Sequence, residues 1–187
     1  MVNVEVLSLT PQLAYRLEYA ATKALNGDKC NLEDVKKSCF ASETCGKTSM
    51  KLRELMNHEY AFVAVDENNP FEFVGCVSCS TGRTDRMVAK MFPNVQLHKD
   101  SIVIYNLCIS YKYRGNKIAS KLMNEVCKIC CNPGRCHLLI ARKNPYFDTI
   151  IGIPGEIEER VKKLKSMYEY MKFREFGKTE DVILMRR

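Results

Sequence analysis

Apolar and polar positions alternate over Asn3–Leu9, the period-two pattern of a half-buried strand. Thr10-Pro11 then offers a helix cap followed by proline at the first helical position. Leu13, Leu17, Ala20, Ala21, Ala24 and Leu25 follow at helical spacing, and Asn26-Gly27 stops the run. Asn31 caps a second, short helix through Val35 and Cys39, and Ser49–Met56 carries a third helical stripe. Tyr60–Val65 and Phe71–Ser80 read as strands joined by the turn residues Asp66–Pro70, which makes a hairpin. Thr81–Asp100, with Gly82, Pro93 and several charges, reads as a long irregular excursion. Ser101–Ser110 is the most strand-like segment, rich in isoleucine and valine, and Tyr111–Gly115 is a short basic loop.

Asn116–Cys131 is an amphipathic helix, with Ile118, Leu122, Val126 and Cys130 at every fourth position and lysines opposite. Asn132-Pro133-Gly134 ends it, and Cys136–Ala141 is a further strand. Asn144–Gly155 is irregular, and Glu156–Met171 is the last helix, with Ile157, Val161, Leu164, Tyr168 and Met171 as its stripe. Phe173–Phe176 and Val182–Met185 close the chain as a second hairpin. Strands and helices mix and include a β-α-β unit, so the predicted class is α/β or α+β in one domain over residues 1–187.

Composition adds exclusions. With 46% hydrophobic residues the chain can bury a core, which rules out intrinsic disorder. No apolar run approaches the roughly 18 residues of a membrane span. The N-terminus lacks the basic start of a signal peptide, so a cytoplasmic setting is expected. The net charge of +7 favours anionic partners without choosing among them, and the basic residues form no tail of the kind that binds nucleic acid. Ten cysteines raise the questions of metal and disulfides. Without a secretion signal the thiols are expected to be reduced. Cys76 and Cys79 are spaced C-x-x-C, but on a strand they face opposite sides of the sheet. Cys127, Cys130, Cys131, Cys136 and His137 form a tighter cluster, but the C-x-x-C elements pair poorly, so no structural metal is expected.

The segment that carries chemistry is Leu107-Cys-Ile-Ser-Tyr-Lys-Tyr-Arg-Gly-Asn-Lys-Ile-Ala119. A buried strand enters a short loop holding Arg114 and Gly115, and a helix opens near Asn116. The first amides of a helix lack partners within it, and the helix dipole adds positive potential there, which suits a phosphate or pyrophosphate. Gly115 lets the backbone turn sharply, and Lys112, Arg114 and Lys117 add charge. A plain strand-to-helix turn with a solvated basic loop fits the same residues.

In register, Leu107, Ile109, Tyr113, Arg114, Gly115, Ile118 and Ala119 resemble the acetyl-CoA-binding signature of the GCN5-related N-acetyltransferase (GNAT) superfamily. The element order resembles that family from about Val4 to Leu184. The resemblance implies a mixed, mostly antiparallel central sheet of six to seven strands flanked by about four helices. It implies that Leu107, Cys108 and Ile109 pair with the pantetheine arm, and that Arg114, Gly115, Asn116, Lys117, Ile118 and Ala119 surround the pyrophosphate. Asn144 resembles an asparagine that contacts the cofactor arm. Met167-Tyr168-Glu169-Tyr170-Met171-Lys172-Phe173 resembles a second family motif, in which Tyr168 protonates the leaving thiolate.

The implied activity is direct transfer of an acetyl group from acetyl-CoA to an amine acceptor, a small molecule or a protein amine, by a monomer or homodimer. The alternative is a catalytically weak or inactive acyl-CoA-binding module of the same fold. Lys117 and Lys172 stand where the family carries glycine, and residues 145–163 form an insertion. No carboxylate occupies Ser101–Tyr105, so Asp100, His98, Glu72 and Tyr105 are the candidates for the general base.

Overall fold

The computed structural model describes residues 3–17, 55–81, 86–109, 113–129, 132–141 and 154–187. The expected helices between Asn31 and Met56 lie outside these residues, except for Leu55 and Met56. Seven strands form one sheet in the order β1-β2-β3-β4-β5-β7-β6. The strands are β1 (Val4–Ser8), β2 (Tyr60–Asp66), β3 (Asn69–Thr81), β4 (Ile102–Ile109), β5 (Cys136–Ala141), β6 (Arg174–Lys178) and β7 (Val182–Arg186). The pairs β1–β2, β2–β3, β5–β7 and β6–β7 run antiparallel, and β4–β5 runs parallel. The parallel pair is connected through a helix, as a parallel crossover requires. The helices are α1, described over residues 11–17, α2 (Arg86–Met91), α3 (Ile118–Ile129) and α4 (Pro154–Tyr170). This is the mixed, mostly antiparallel architecture that the family resemblance implies.

By internal contacts the chain divides into two compact units. The first comprises Met1–Cys79 and Asn106–Val126. Thr10 caps α1 as its position suggests, its hydroxyl accepting the Leu13 amide at 3.2 Å. Leu17, Leu55, Val63, Val65 and Cys76 form a buried core, joined by Leu7, Leu13, Phe73 and Cys108. Each fully buried aliphatic side chain contributes about 1.5–3 kcal/mol, so this cluster rather than local propensity holds β1, β2 and α1 together. At the β2–β3 turn, Asp66 Oδ1 accepts the Asn68 amide at 2.9 Å, an Asx-type closure. Ile118, Leu122, Met123 and Val126 are the buried face of α3.

The second unit comprises Ser80–Tyr105 and Cys127–Arg187. Its core joins Val88, Phe92, Val103, Val182 and Leu184. Val88 is wholly buried and explains α2, which the sequence reading misses: six residues, fewer than two helical turns, inside a polar, proline-containing segment are too short to show periodicity. The α4 helix ends in a Schellman motif, with Phe173 N donating to Tyr168 O at 3.0 Å and Lys172 N to Glu169 O at 3.0 Å. Lys172 takes the left-handed position of that motif, at φ 73°.

Several boundaries differ from expectation, among them the starts of α4, at Pro154, and of α3 and β3. The α3 helix begins at Ile118, not Asn116, because Asn116 spends its side chain on the preceding turn and Lys117 is left-handed. The β3 strand reaches back to Asn69 through the expected turn. Among the described residues no helix is long and apolar enough to cross a membrane.

Candidate active site

The β4 strand delivers Leu107, Cys108 and Ile109 half-buried at its end. Just before them Asn106 adopts φ 51°, a left-handed residue inside a strand. Asparagine tolerates that conformation better than other residues with a Cβ. Two contacts from β3 hold it: Asn106 Nδ2 donates to Ser78 Oγ at 3.2 Å, and Cys76 Sγ donates to Asn106 O at 3.4 Å. The β3 backbone also approaches closely at Gly75, where an added Cβ would stand 2.7 Å from Cys108 O and 2.7 Å from Ile109 Cδ1.

Beyond Ile109 the loop is pinned at both ends. Tyr113 is buried, and its hydroxyl donates to Asp66 Oδ2 at 3.1 Å. Burial, then the hydrogen bond and the negative charge of Asp66, push the phenol up to about 12. Arg114 is exposed and folds back, its Nε donating to Ile109 O at 3.1 Å. Gly115 sits at φ 83° with open space where a Cβ would stand, so conformation, not room, requires glycine here. Asn116 Nδ2 donates to Tyr113 O at 3.2 Å and to Arg114 O at 3.3 Å, closing the turn from inside.

Lys117 then takes φ 59° and accepts the first helical bond, from Lys121 N at 3.1 Å. No acidic residue occupies the first turn of α3. Arg114 and Lys117 therefore stand exposed beside a helix N-terminus whose amides Ile118, Ala119 and Ser120 lack acceptors within the helix. Chemically, exposed cations beside a helix N-terminus suit an anion with several oxygens. Of the expected residues, Leu107, Cys108 and Ile109 lie at the end of β4, Arg114, Gly115, Asn116 and Lys117 are exposed in the turn before α3, and Ile118 and Ala119 open that helix, with Ile118 buried. Asn144 lies outside the described residues.

Tyr168 belongs to the second unit. It is 8% exposed and meets Phe173 edge-on, with ring centroids 6.2 Å apart. Burial pushes its phenol up to about 12. Among the described residues its hydroxyl has no hydrogen-bond partner, although a buried tyrosine hydroxyl normally finds one.

Of the candidate bases, His98 and Asp100 are exposed. Asp100 Oδ2 accepts Arg135 Nη1 at 3.1 Å, and His98 Nδ1 accepts the Asp100 amide at 3.2 Å. Tyr105 packs against the core around Val103, and the side chain of Glu72 lies outside what is described.

The cysteines divide. Cys76, Cys79, Cys127 and Cys136 carry thiols, and Cys108 is disulfide-bonded. The expectation of reduced thiols throughout fails at Cys108, because a disulfide depends on which Cα atoms the fold brings within about 4.4–6.8 Å and spacing does not reveal that. Sequence reading also misses Asp66 and Asn106. The run of turn residues at 66–70 and an asparagine amid isoleucine and valine were their only signals.

Comparison with known proteins follows this geometry. The acetyltransferase (GNAT) family model matches residues 31–145, more than half the chain. No curated protein matches the chain in sequence. Among solved structures, a GNAT-family acetyltransferase from Listeria monocytogenes 4b F2365 matches with TM-score 0.61 and 10% identity, over 100% of this chain and 95% of that one. An aminoglycoside 6'-N-acetyltransferase complexed with coenzyme A matches with TM-score 0.52 and 15% identity, over 98% and 96%. Arabidopsis thaliana NAA60 in complex with acetyl-CoA matches with TM-score 0.50 and 16% identity, over 99% and 98%. At these identities the likeness is one of fold.

Proposed function

The chain belongs to the acetyltransferase (GNAT) family, and we propose that it transfers an acetyl group from acetyl-CoA to the nitrogen of an amine acceptor. Acetyl-CoA supplies an activated acyl group when bound. The chain's residues fit it. The backbone of Leu107, Cys108 and Ile109 suits strand-like pairing with an extended arm. The Ile118–Ser120 amides, with Arg114 and Lys117, suit a pyrophosphate. Gly115 and Asn116 shape the loop that carries those groups. Asn144 is retained as a further contact to the cofactor arm on the strength of its motif position alone.

The observation that carries the catalytic reading is Tyr168. A buried phenol still protonated at neutral pH, with no partner among the described residues, is a donor in want of an acceptor. We assign it the protonation of the departing sulfur, in line with its place in the second family motif. An oxyanion developing on the acyl carbonyl needs a fixed donor, and a backbone amide of the β4 end is suited to that. The acceptor amine must lose a proton before it attacks. Asp100, already bound to Arg135, is a poor base, and an ordered water leading to solvent serves the purpose better.

Release of coenzyme A thiol in the presence of an amine panel tests the reading. The panel should span polyamines, arylalkylamines, amino sugars and peptide amines. Acceptor-dependent release above hydrolysis supports transfer. Binding of acetyl-CoA with no release across the panel would instead favour the binding-module reading, which the lysine at position 117 favours.

A further inference from the structure

Away from the acetyl-transfer residues, the second unit contains a thiol pair that the proposed chemistry does not use. Cys127 lies near the end of α3 and is half-buried, open enough for a small oxidant. Cys136, the first residue of β5, is wholly buried. Both carry thiols, and the side chain of Cys136 lies beside the Cys127 sulfur. Arg187 engages both residues: its Nη1 lies 2.7 Å from Cys127 Sγ, and its main-chain N donates to Cys136 O at 2.9 Å. One sulfur thus has a cation, a second thiol and access from outside. Cys76 and Cys79 are equally free of disulfides but wholly buried, so they provide an internal comparison.

We infer that Cys127 and Cys136 are a peroxide-sensitive pair, in which Cys127 takes the oxidant and Cys136 resolves it to an intramolecular disulfide. The neighbouring Cys136 side chain and the Arg187 guanidinium lower the Cys127 thiol, against the opposing effect of burial, and so favour the nucleophilic thiolate. In the first step the Cys127 thiolate attacks one oxygen of a hydroperoxide. An S–O bond forms and the O–O bond breaks. The sulfur is oxidised to a sulfenic acid, and the other oxygen leaves as hydroxide or alkoxide and takes up a proton. In the second step the Cys136 sulfur attacks the sulfenyl sulfur. The S–S bond forms, the S–O bond breaks, and the oxygen leaves as water with the proton from Cys136. The net change is two thiols and one hydroperoxide to one disulfide, one water or alcohol, and one water. Arg187 is a positioning residue: it holds the thiolate and, through its backbone, the strand that carries the resolving thiol.

The test is treatment of the full chain with hydrogen peroxide, followed by thiol blocking, non-reducing digestion and peptide mass mapping. The expected result is a Cys127–Cys136 cross-link, a loss of about 2 Da reversed by dithiothreitol. In Cys136→Ser the cross-link should be absent, and dimedone should trap a sulfenic acid on Cys127. Arg187→Met should slow alkylation of Cys127 by roughly tenfold, one unit of thiol acidity, and Arg187→Lys should recover most of the rate. Modification of Cys127 no faster than that of Cys79 would overturn the inference. So would a cross-link from Cys127 to any cysteine other than Cys136. Mapping of the wild-type chain decides the pairing even if a variant fails to fold.

Discussion

The Tyr113 hydroxyl donates to Asp66 Oδ2 at 3.1 Å and so ties the turn before α3 to the last residue of β2. The bond favours the protonated phenol, since ionisation would place two negative charges side by side. The phenol is raised from 10.0 to about 12, so the folded state holds this proton more tightly than the unfolded state does. The resulting stability is fully present below pH 10 and is lost as pH rises through about 12. Phenolate absorbance during an alkaline titration should show late-ionising tyrosines, Tyr168 among them. Tyr113→Phe should remove one late step, and Asp66→Asn should shift it toward the ordinary value. A titration curve with no late-ionising step would refute the assignment.

Lys117 and Lys172 replace glycines of the two family motifs, and each is left-handed, at φ 59° and 73°. A residue with a Cβ pays about 1–2 kcal/mol there, partly offset by the greater freedom of glycine when unfolded. Lys117→Gly and Lys172→Gly should each stabilise the chain by about 0.5–1 kcal/mol. Lys117→Ala should be near neutral, because alanine meets the same steric problem. Denaturant melts with unchanged slopes are the measurement. A loss of stability on glycine substitution would mean that the lysine side chains contribute more than their backbone conformation costs.

Arg114→Glu should abolish most of the thermal stabilisation that acetyl-CoA confers, because it sets a like charge beside the phosphate oxygens. The same variant should lower the melting temperature of the ligand-free protein only slightly, since Arg114 is exposed and gives up its hydrogen bond to Ile109 O. Calorimetry showing equal affinity in wild type and variant would move the cofactor elsewhere.

Tyr168→Phe separates two roles. General acid catalysis is worth roughly 10²–10⁴-fold, so turnover should fall in that range while acetyl-CoA affinity stays close to wild type. Its hydroxyl has no partner among the described residues, so removing it breaks no hydrogen bond there. The ring remains to pack on Phe173, so thermal stability should hold or rise. Full turnover in a well-folded variant would leave the proton to come from water.

Much of this was legible in the chain. The isoleucine- and valine-rich run at Ser101–Ser110 marks β4, because a strand buried in mid-sheet reads as a continuous apolar run, and the four-residue stripe of Ile118, Leu122 and Val126 marks α3, because a helix that buries one face leaves a periodic trace. Local motif register sets Leu107–Ile109 at a strand end and Ile118–Ala119 at the start of a helix, as β4 and α3 have them. What stayed hidden depends on contacts between distant residues. Asp66 meets Tyr113 across 47 positions, and Asn106 meets Ser78 across 28. The short α2 rests on Val88 reaching the core of the second unit, which no local pattern announces.

Gly75→Ala tests the closeness of β3 to β4. The new Cβ would meet the Cys108 carbonyl oxygen, which is backbone and does not swing aside. Overpacking of this kind costs about 1–3 kcal/mol, and a melt of the variant should read that loss. A neutral result would show that the two strands separate there without penalty.

The left-handed Asn106 sets the direction of Leu107–Ile109, and what holds it are Ser78 and Cys76 on the neighbouring strand. Those two residues lie outside both recognisable motifs. A lineage could therefore keep every signature residue intact while drift at Ser78 or Cys76 re-aimed the strand end. Two chains with identical motifs could then present differently angled backbones to the same ligand. Inheritance of the signature and inheritance of the geometry are, in this protein, carried by different parts of the sequence.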